Sequence, residues 1–592
     1  MLVVVLVGCG GKATVPEPAM AGAPSPVVVE APGPVGPPRL RFEGIPVPGD
    51  AATRRLPAVA TRAHLGETAL DVGFTVLRKS LVDGFGEVRT RGGAAVALAC
   101  GEQDFDSLLL AGGKPWLVSH FECTPGAVYV SALQQDAAGV LSAVGRATPV
   151  DWDASGGVWF PCSGQVSPWG THLGSEEYEP DAGALRADNT LAQDEYGAWK
   201  AMSTWAPGQV LNVWDYGWPT EISLDAEGKA TAGKHYALGR FSHELSYVLP
   251  DERTVYQSDD GTATGFYLFV ADRPRDLSAG TLYAASYEGA GDSPGVRWVS
   301  LGHATAAEVK RLVDARVPFS SLFAREAPSA SGTCREGFRF VSHSYGKECL
   351  QLAAPSAKVP DPALAASRLE TRRYAAYVGA STELEKFEGL AFDAESRTLY
   401  LAISQVKGRM LAEDGGPGDQ VRMDKNTCGV VFAGATARSG VDTAGAPIAS
   451  EYVVSALRPA VAGRPLDAPD AANNGCDPEA IANPDNVTFL AGHGLLTIAE
   501  DTKTKRGHTN ASLWTWDVQG GSLVRILSAP VGGEVTGIHW IPDLLGHGYL
   551  TAVVQHPWDE LPEGQVIPAD ITEEDKRSLT AVFGPFPPLA RP

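Results

Sequence analysis

The sequence contains no apolar run approaching the roughly 20 residues that a membrane-spanning helix needs; Met1 to Gly8, MLVVVLVG, is far too short. It has no extended run of Lys or Arg either, and 48 basic against 70 acidic residues leave a formal charge of −22. Affinity for nucleic acid comes mostly from Lys and Arg neutralising phosphates, so no nucleic-acid partner is expected. No CxxC or HxxxH spacing marks a structural zinc site. No Walker-type loop or dinucleotide fingerprint marks a nucleotide cofactor. Gly (66) and Pro (43) in 592 residues stay short of the roughly 25–30% that accompanies low-complexity disorder. What is there is a globular, acidic chain, 44% hydrophobic, with apolar side chains enough for a core and surplus carboxylates for solubility or cation binding.

The first residues read as an address. Leu6-Val7-Gly8-Cys9 resembles the lipobox of bacterial lipoproteins, which implies lipidation at Cys9, a signal remnant over residues 1–9 and an Ala/Pro/Gly-rich tether over 10–40. The basic n-region is missing, so a secretory leader with an incidental Cys9 is the alternative. In an exported protein disulfides are permitted. Seven cysteines follow Cys9, an odd number that leaves at least one unpaired: Cys100, Cys123, Cys162, Cys334, Cys349, Cys428 and Cys476. Cys100 with Cys123 and Cys334 with Cys349 are plausible pairs by proximity in sequence, and connectivity stays open.

From residue 41 to the end, strand-length apolar runs recur between Gly, Pro, Asp and Asn. Examples are Gly265 to Val270, Thr398 to Ile403, Leu495 to Ala499, Ser512 to Trp516 and Tyr549 to Val554, all rich in β-branched and aromatic residues. The best helical signal is Ala304 to Ala315, where Thr305 and Glu308 form a capping-box pattern. Many short strands without helical alternation predict an all-β sandwich, barrel or propeller, and the length favours a propeller with a few helical insertions. Several runs end in carboxylates, such as Ser258-Asp259-Asp260 and Ala499-Glu500-Asp501. In a propeller such acids can converge on the axis.

The densest functional segment is Cys162 to Glu177, CSGQVSPWGTHLGSEE. After it come Leu238-Gly239-Arg240-Phe241-Ser242-His243-Glu244, Lys386-Phe387-Glu388-Gly389-Leu390, Asn483-Pro484-Asp485-Asn486-Val487, Gly533-Glu534-Val535-Thr536-Gly537 and Gln555-His556-Pro557. In this order the motifs resemble those of PhoX-type alkaline phosphatases, over Trp159 to Trp558. The resemblance implies a six-bladed β-propeller whose axial cluster of iron and calcium hydrolyses small phosphomonoesters outside the cytoplasm. It would be a monomer, held at the membrane only through a lipid on Cys9. Hard cations prefer carboxylate oxygen and Ca²⁺ takes 6–8 oxygens, so such a cluster needs many acids from many strands.

Residue by residue, the resemblance puts metal ligands on Glu176, Glu244, Asp259, Glu388, Asp485, Asp501 and Glu534, and leaves Glu177 evenly between a further ligand and an acid that is solvated or only adjoins the ligands. Lys386 falls where the family carries an arginine that contacts substrate phosphate, with an ion pair to Glu388 or Glu385 as the plainer reading. Lys386, Glu388 and Arg240 are the expected catalytic residues, although Arg240 and His243 could equally orient carboxylates, and His556 is read as structural. The family's iron-binding cysteine falls on Ser175, a weaker ligand than thiolate, and Cys162 reads as a poor substitute. Iron is therefore left open, and the rival reading is a calcium-binding surface propeller that catalyses nothing. An esterase or lactonase would not require Lys386. Asp151 to Gly156 opens like an EF-hand loop but has Cys162 where the twelfth-position Glu is needed, so a turn is expected. Asn486 and Asn510 fit glycosylation acceptors, a pattern that arises by chance.

Overall fold

In the computed structural model, residues 38–589 are described apart from 51, 412–418, 504, 560, 562–563 and 565. The signal remnant, Cys9 and nearly all of the expected tether lie outside the described residues. Arg39–Pro592 forms one compact unit.

The runs expected as strands are strands: Phe266–Arg273, Thr398–Ile403, Leu495–Glu500, Ser512–Asp517 and His547–Gln555. Thr398–Ile403 and Leu495–Glu500 are buried at every position, which is why they read as continuous apolar runs rather than as alternation. Six antiparallel sheets of four or five strands follow one another along the chain. Their first strands are Gln103–Ala111, Gly164–Val166, His243–Val248, Phe387–Asp393, Pro484–Leu490 and Glu534–Thr536. Among the first five, each lies against the next. The fifth sheet meets the sixth through Leu495–Glu500 against Glu534–Thr536, and the sixth returns to the first through His547–Gln555 against Gln103–Ala111. The ring closes as a six-bladed β-propeller, with apolar rings such as Phe266, Trp298 and Phe387 packed between blades.

The clasp is made by the chain's beginning. Phe74–Lys79 is the outermost strand of the last blade, pairing Lys79 with Leu579 and Phe74 with Phe583, and Ala58–Val59 adds to the edge of the fifth. Between the third and fourth blades stands an insertion with helices Ala306–Asp314, Pro362–Leu369 and Thr371–Val378 and a three-stranded sheet. The first helix starts with the capping box expected from Thr305 and Glu308. The second starts with Asp361 as N-cap and Pro362 in its first turn, a start signal equally present in sequence. Three disulfides join Cys100 to Cys123, Cys334 to Cys349 and Cys428 to Cys476, and Cys162 is free and buried. Asp153–Ser155 is one turn of 3-10 helix. Asn486 and Asn510 are buried and hydrogen-bonded within the ring, closed to a glycan.

Candidate metal centre

Four of the six inner strands begin with the same local device. A β-bulge falls between Gln103 and Asp106, between His243 and Ser246, between Phe387 and Leu390, and between Pro484 and Val487. The second residue of each of these strands is acidic: Asp104, Glu244, Glu388 and Asp485. An extra residue in one strand bends it and re-aims a side chain; repeated around a ring, the device turns four carboxylates toward one another. Gly389 is required by the closeness of two of these strands, since a Cβ there would lie 2.4 Å from the carbonyl oxygen of Asp485.

Donor atoms of Glu244, Glu388 and Asp485 lie within 4.8 Å of one another, as do those of Cys162, Glu177 and Glu244, and those of Asp104, Glu122 and Cys162. Shared Glu244 and Cys162 make these three groups one continuous array. The charge of Glu534 lies beside Asp485, that of Asp260 beside Glu177 and Glu388, and that of Asp501 beside Asp485 and Glu534. Burial first, and then mutual repulsion, pushes Glu177, Glu244, Glu388, Asp485 and Glu534 well above the usual carboxylate range. Burial likewise lifts Asp104 to about 6 and Glu122 to about 8. Asp260 goes the other way: against burial, the Lys386 ammonium holds it below its ordinary value.

Lys386 sets a cation against this array. Its Nζ lies 2.8 Å from Asp260 Oδ2 and 2.8 Å from Glu388 Oε1. Its backbone sits at φ +48°, a region costly for a residue with a Cβ and one that persists where surrounding structure enforces it. Here the Lys386 N–H donates to Gly261 O at 2.7 Å, and its carbonyl accepts from Ser404 N at 3.0 Å. Above Lys386 opens a cleft of about 430 Å³, whose walls include Tyr178, Tyr196, Tyr345, Arg372, Lys407 and Asp501.

The donor set suits cations. Buried oxygens Asp104 Oδ2 and Asp260 Oδ1 have no hydrogen-bond partner among the described residues, and a buried charge left so is costly unless an ion or a proton compensates it. Many carboxylate oxygens fit a hard cation such as Ca²⁺, and the single thiol beside them fits a transition metal. The Cys162 thiol donates to Glu244 Oε2 at 3.2 Å. Burial, followed by the charges of Asp104 and Glu244, holds it protonated, and a cation would invert that balance.

Several residues expected as ligands are placed elsewhere. Glu176 is fully buried against Lys234 Nζ at 2.7 Å and accepts from the backbone N–H groups of Trp159, Gly217 and Trp218, so its neighbour Glu177 is the one in the array. Asp259 is taken by the Arg372 guanidinium and the Gly265 N–H, and its neighbour Asp260 reaches Lys386. Side chains alternate along extended backbone, so a shift of one residue changes the face completely. Ser175 Oγ donates to Ser163 O at 2.8 Å, and the sulfur in the array is Cys162, set aside on sequence grounds. Arg240 spends its guanidinium on the carbonyls of Tyr216, Pro180 and Val213; it ties loops together and reaches no donor of the array. His243 packs tilted against the Phe241 ring with Nε2 2.9 Å from Gly239 O. His556 stands 3.4 Å from Glu534. Asp104 and Glu122 were missed because they belong to the first blade, upstream of the recognisable motifs; the Cys100–Cys123 pair that brackets them was the available signal. Gly291 to Gly295, GDSPG, has the letters of a nucleophile elbow, yet it lies in the hairpin between Asp276–Glu288 and Gly295–Thr305, without the strand-to-helix turn that motif needs.

Residues 136–557 match the family model described as alkaline phosphatase PhoX. Among solved structures, the chain resembles PhoX of Pseudomonas fluorescens in complex with vanadate, a transition state analogue. That likeness has 20% identity and a TM-score of 0.59, and covers 92% of this chain and 98% of that one. A gluconolactonase of Xanthomonas campestris follows at 11% identity and TM-score 0.29, covering 94% of this chain and 99% of that one. Sqt1 of Saccharomyces cerevisiae stands at 8% identity and TM-score 0.30, covering 83% and 97%. None of the curated proteins matches the sequence.

Proposed function

The chain belongs to the PhoX alkaline phosphatase family, and on that premise we propose that it hydrolyses small phosphomonoesters outside the cytoplasm at a cluster of calcium and iron. The observation that carries this is the array joined through Cys162 and Glu244, lying under a cleft with Lys386 at its base. Glu177, Glu244, Glu388, Asp485, Asp501 and Glu534, together with Asp104, Glu122 and Asp260, would hold the hard cations, and Cys162 with Glu244 the iron. When bound, such cations supply positive charge for the phosphoryl oxygens of the substrate and its transition state.

The chain's own residues do the rest. Lys386, paired with Asp260 and Glu388, stays protonated and presents a point charge to a phosphate entering from the cleft; it lacks the bidentate fork of an arginine. Asp260 and Glu388 fix where that ammonium stands. Ser404 Oγ donates to Glu388 at 3.1 Å and Asn486 Nδ2 to Asp485 at 2.9 Å, which orients both carboxylates.

The compartment reading rests on three disulfides, which form and persist in oxidising surroundings, and on the lipobox-like Cys9; the protein is taken as a monomer. Among the described residues no helix is long and apolar enough to cross a membrane. The calcium-only rival drew on Ser175 as a lost iron ligand, and with Ser175 outside the array and Cys162 within it nothing favours that rival. The test is elemental analysis of the purified protein beside hydrolysis of a chromogenic phosphomonoester, with and without chelator. Iron plus calcium and chelator-sensitive turnover are expected; calcium alone without turnover would overturn the reading.

A further inference from the structure

One wall of the cleft is aromatic, with Tyr178 and Tyr196. Tyr196 is 72% exposed although it is a bulky aromatic at φ +53°, a conformation such residues adopt only under constraint. The constraint is local: Asp194 accepts from the N–H groups of Trp199 and Lys200, and Gly197 continues the turn at φ +66°. The Tyr196 ring lies 5.6 Å from that of Tyr178, which is edge-on to Phe160. Tyr178 in turn donates its hydroxyl to Asp260 at 2.9 Å, the carboxylate that holds Lys386. The rim ring is therefore tied, through two contacts, to the place where the phosphate is read.

We propose that Tyr196, backed by Tyr178, is a stacking platform for a planar leaving group, so that the site favours phosphomonoesters of aryl alcohols and nucleosides over those of aliphatic alcohols. This rests on the phosphatase reading. An aromatic face stacks on any π-surface regardless of its hydrogen-bonding edge, so one platform serves both classes, while an aliphatic alcohol gains nothing from it. Lys386 and Tyr196 line the same cleft, so an ester whose phosphate lies against Lys386 can set its leaving group against the Tyr196 ring.

The experiment compares kcat/KM of the metal-loaded protein for nitrophenyl phosphate, adenosine monophosphate and glycerol phosphate in wild type, Tyr196→Ala and Tyr196→Phe. Tyr196→Ala is expected to lower kcat/KM roughly ten-fold for either or both planar esters and to leave glycerol phosphate unchanged, and Tyr196→Phe is expected to behave as wild type. Loss with one planar ester alone identifies the class served. Equal loss on all three esters, or no loss on any, overturns the platform. If wild type turns over none of them, the phosphatase reading fails instead, and calorimetry decides the platform separately. Adenosine monophosphate binding weakened roughly ten-fold by Tyr196→Ala upholds it; unchanged or absent binding overturns it.

Discussion

The Cys162 thiol and the Glu244 carboxylate meet across 3.2 Å, joining a loop ahead of the second blade to the bulged start of the third. That contact lies in the middle one of the three donor groups and joins it to both of the others. It also puts the Cys162 side chain, and not that of Ser175, beside the acids.

Cys162→Ser is expected to lower iron content and to cut phosphomonoester turnover more than about ten-fold, whereas Ser175→Cys changes neither, because that side chain faces Ser163 O. Perturbing groups that hold or orient a metal ligand characteristically costs about 10–100-fold. Elemental analysis and initial rates of both variants check this; iron gained in Ser175→Cys would contradict it.

The neighbours Glu176 and Glu177 separate stability from metal binding. Glu176 forms a fully buried pair with Lys234, and removing one partner of such a pair costs about 3–5 kcal/mol. Glu176→Gln should therefore unfold at clearly lower denaturant with its metal-to-protein ratio intact. Glu177→Gln should lose metal with far less change in unfolding.

Glu388→Gln removes one negative charge and one donor from the array while keeping side-chain volume. Turnover is expected to vanish with circular dichroism unchanged; full activity in this variant would remove Glu388 from the site.

Lys386→Met acts in the opposite sense on the two kinds of ligand. Losing the ammonium raises KM for phosphomonoesters, and it leaves Asp260 and Glu388 without their cation, so calcium should bind more tightly than in wild type. Calcium titration and steady-state kinetics on the same sample read both effects.

Stripping the metals exposes the strain of the acid array. Asp104 and Glu122 titrate near 6 and 8 when folded, because burial disfavours their charged forms, and near 4 when unfolded. Between about pH 4 and 8 the native state then binds more protons than the unfolded one, so these groups make stability fall as pH rises. In chelator the melting temperature should drop across that window, and calcium should reverse most of the drop at its upper end. A melting temperature indifferent to chelator at pH 8 would count against cation binding.

Much of the fold was legible beforehand. Thr398–Ile403 spans the strand its β-branched and aromatic run announces, and the Thr305–Glu308 capping box opens a helix as expected, because both signals are local. Beyond the first blade, with its Asp104 and Glu122, the acid-bearing segments were legible too, but not the direction of their side chains. Glu176 and Asp259 each sit one residue from the side chain that reaches the array, and a period-two backbone reverses its face at every step.

Sequence by itself determined that this chain is acidic, built from strands, and bears its acids at strand ends, since composition and short-range patterning follow from the residues alone. Only the tertiary structure decided which acids meet. The β-bulges at Asp104, Glu244, Glu388 and Asp485 re-aim side chains according to how each strand pairs with its neighbour, and closing the ring brings together residues hundreds of positions apart. Pairing register and ring closure are properties of the whole chain, which no local stretch of it contains.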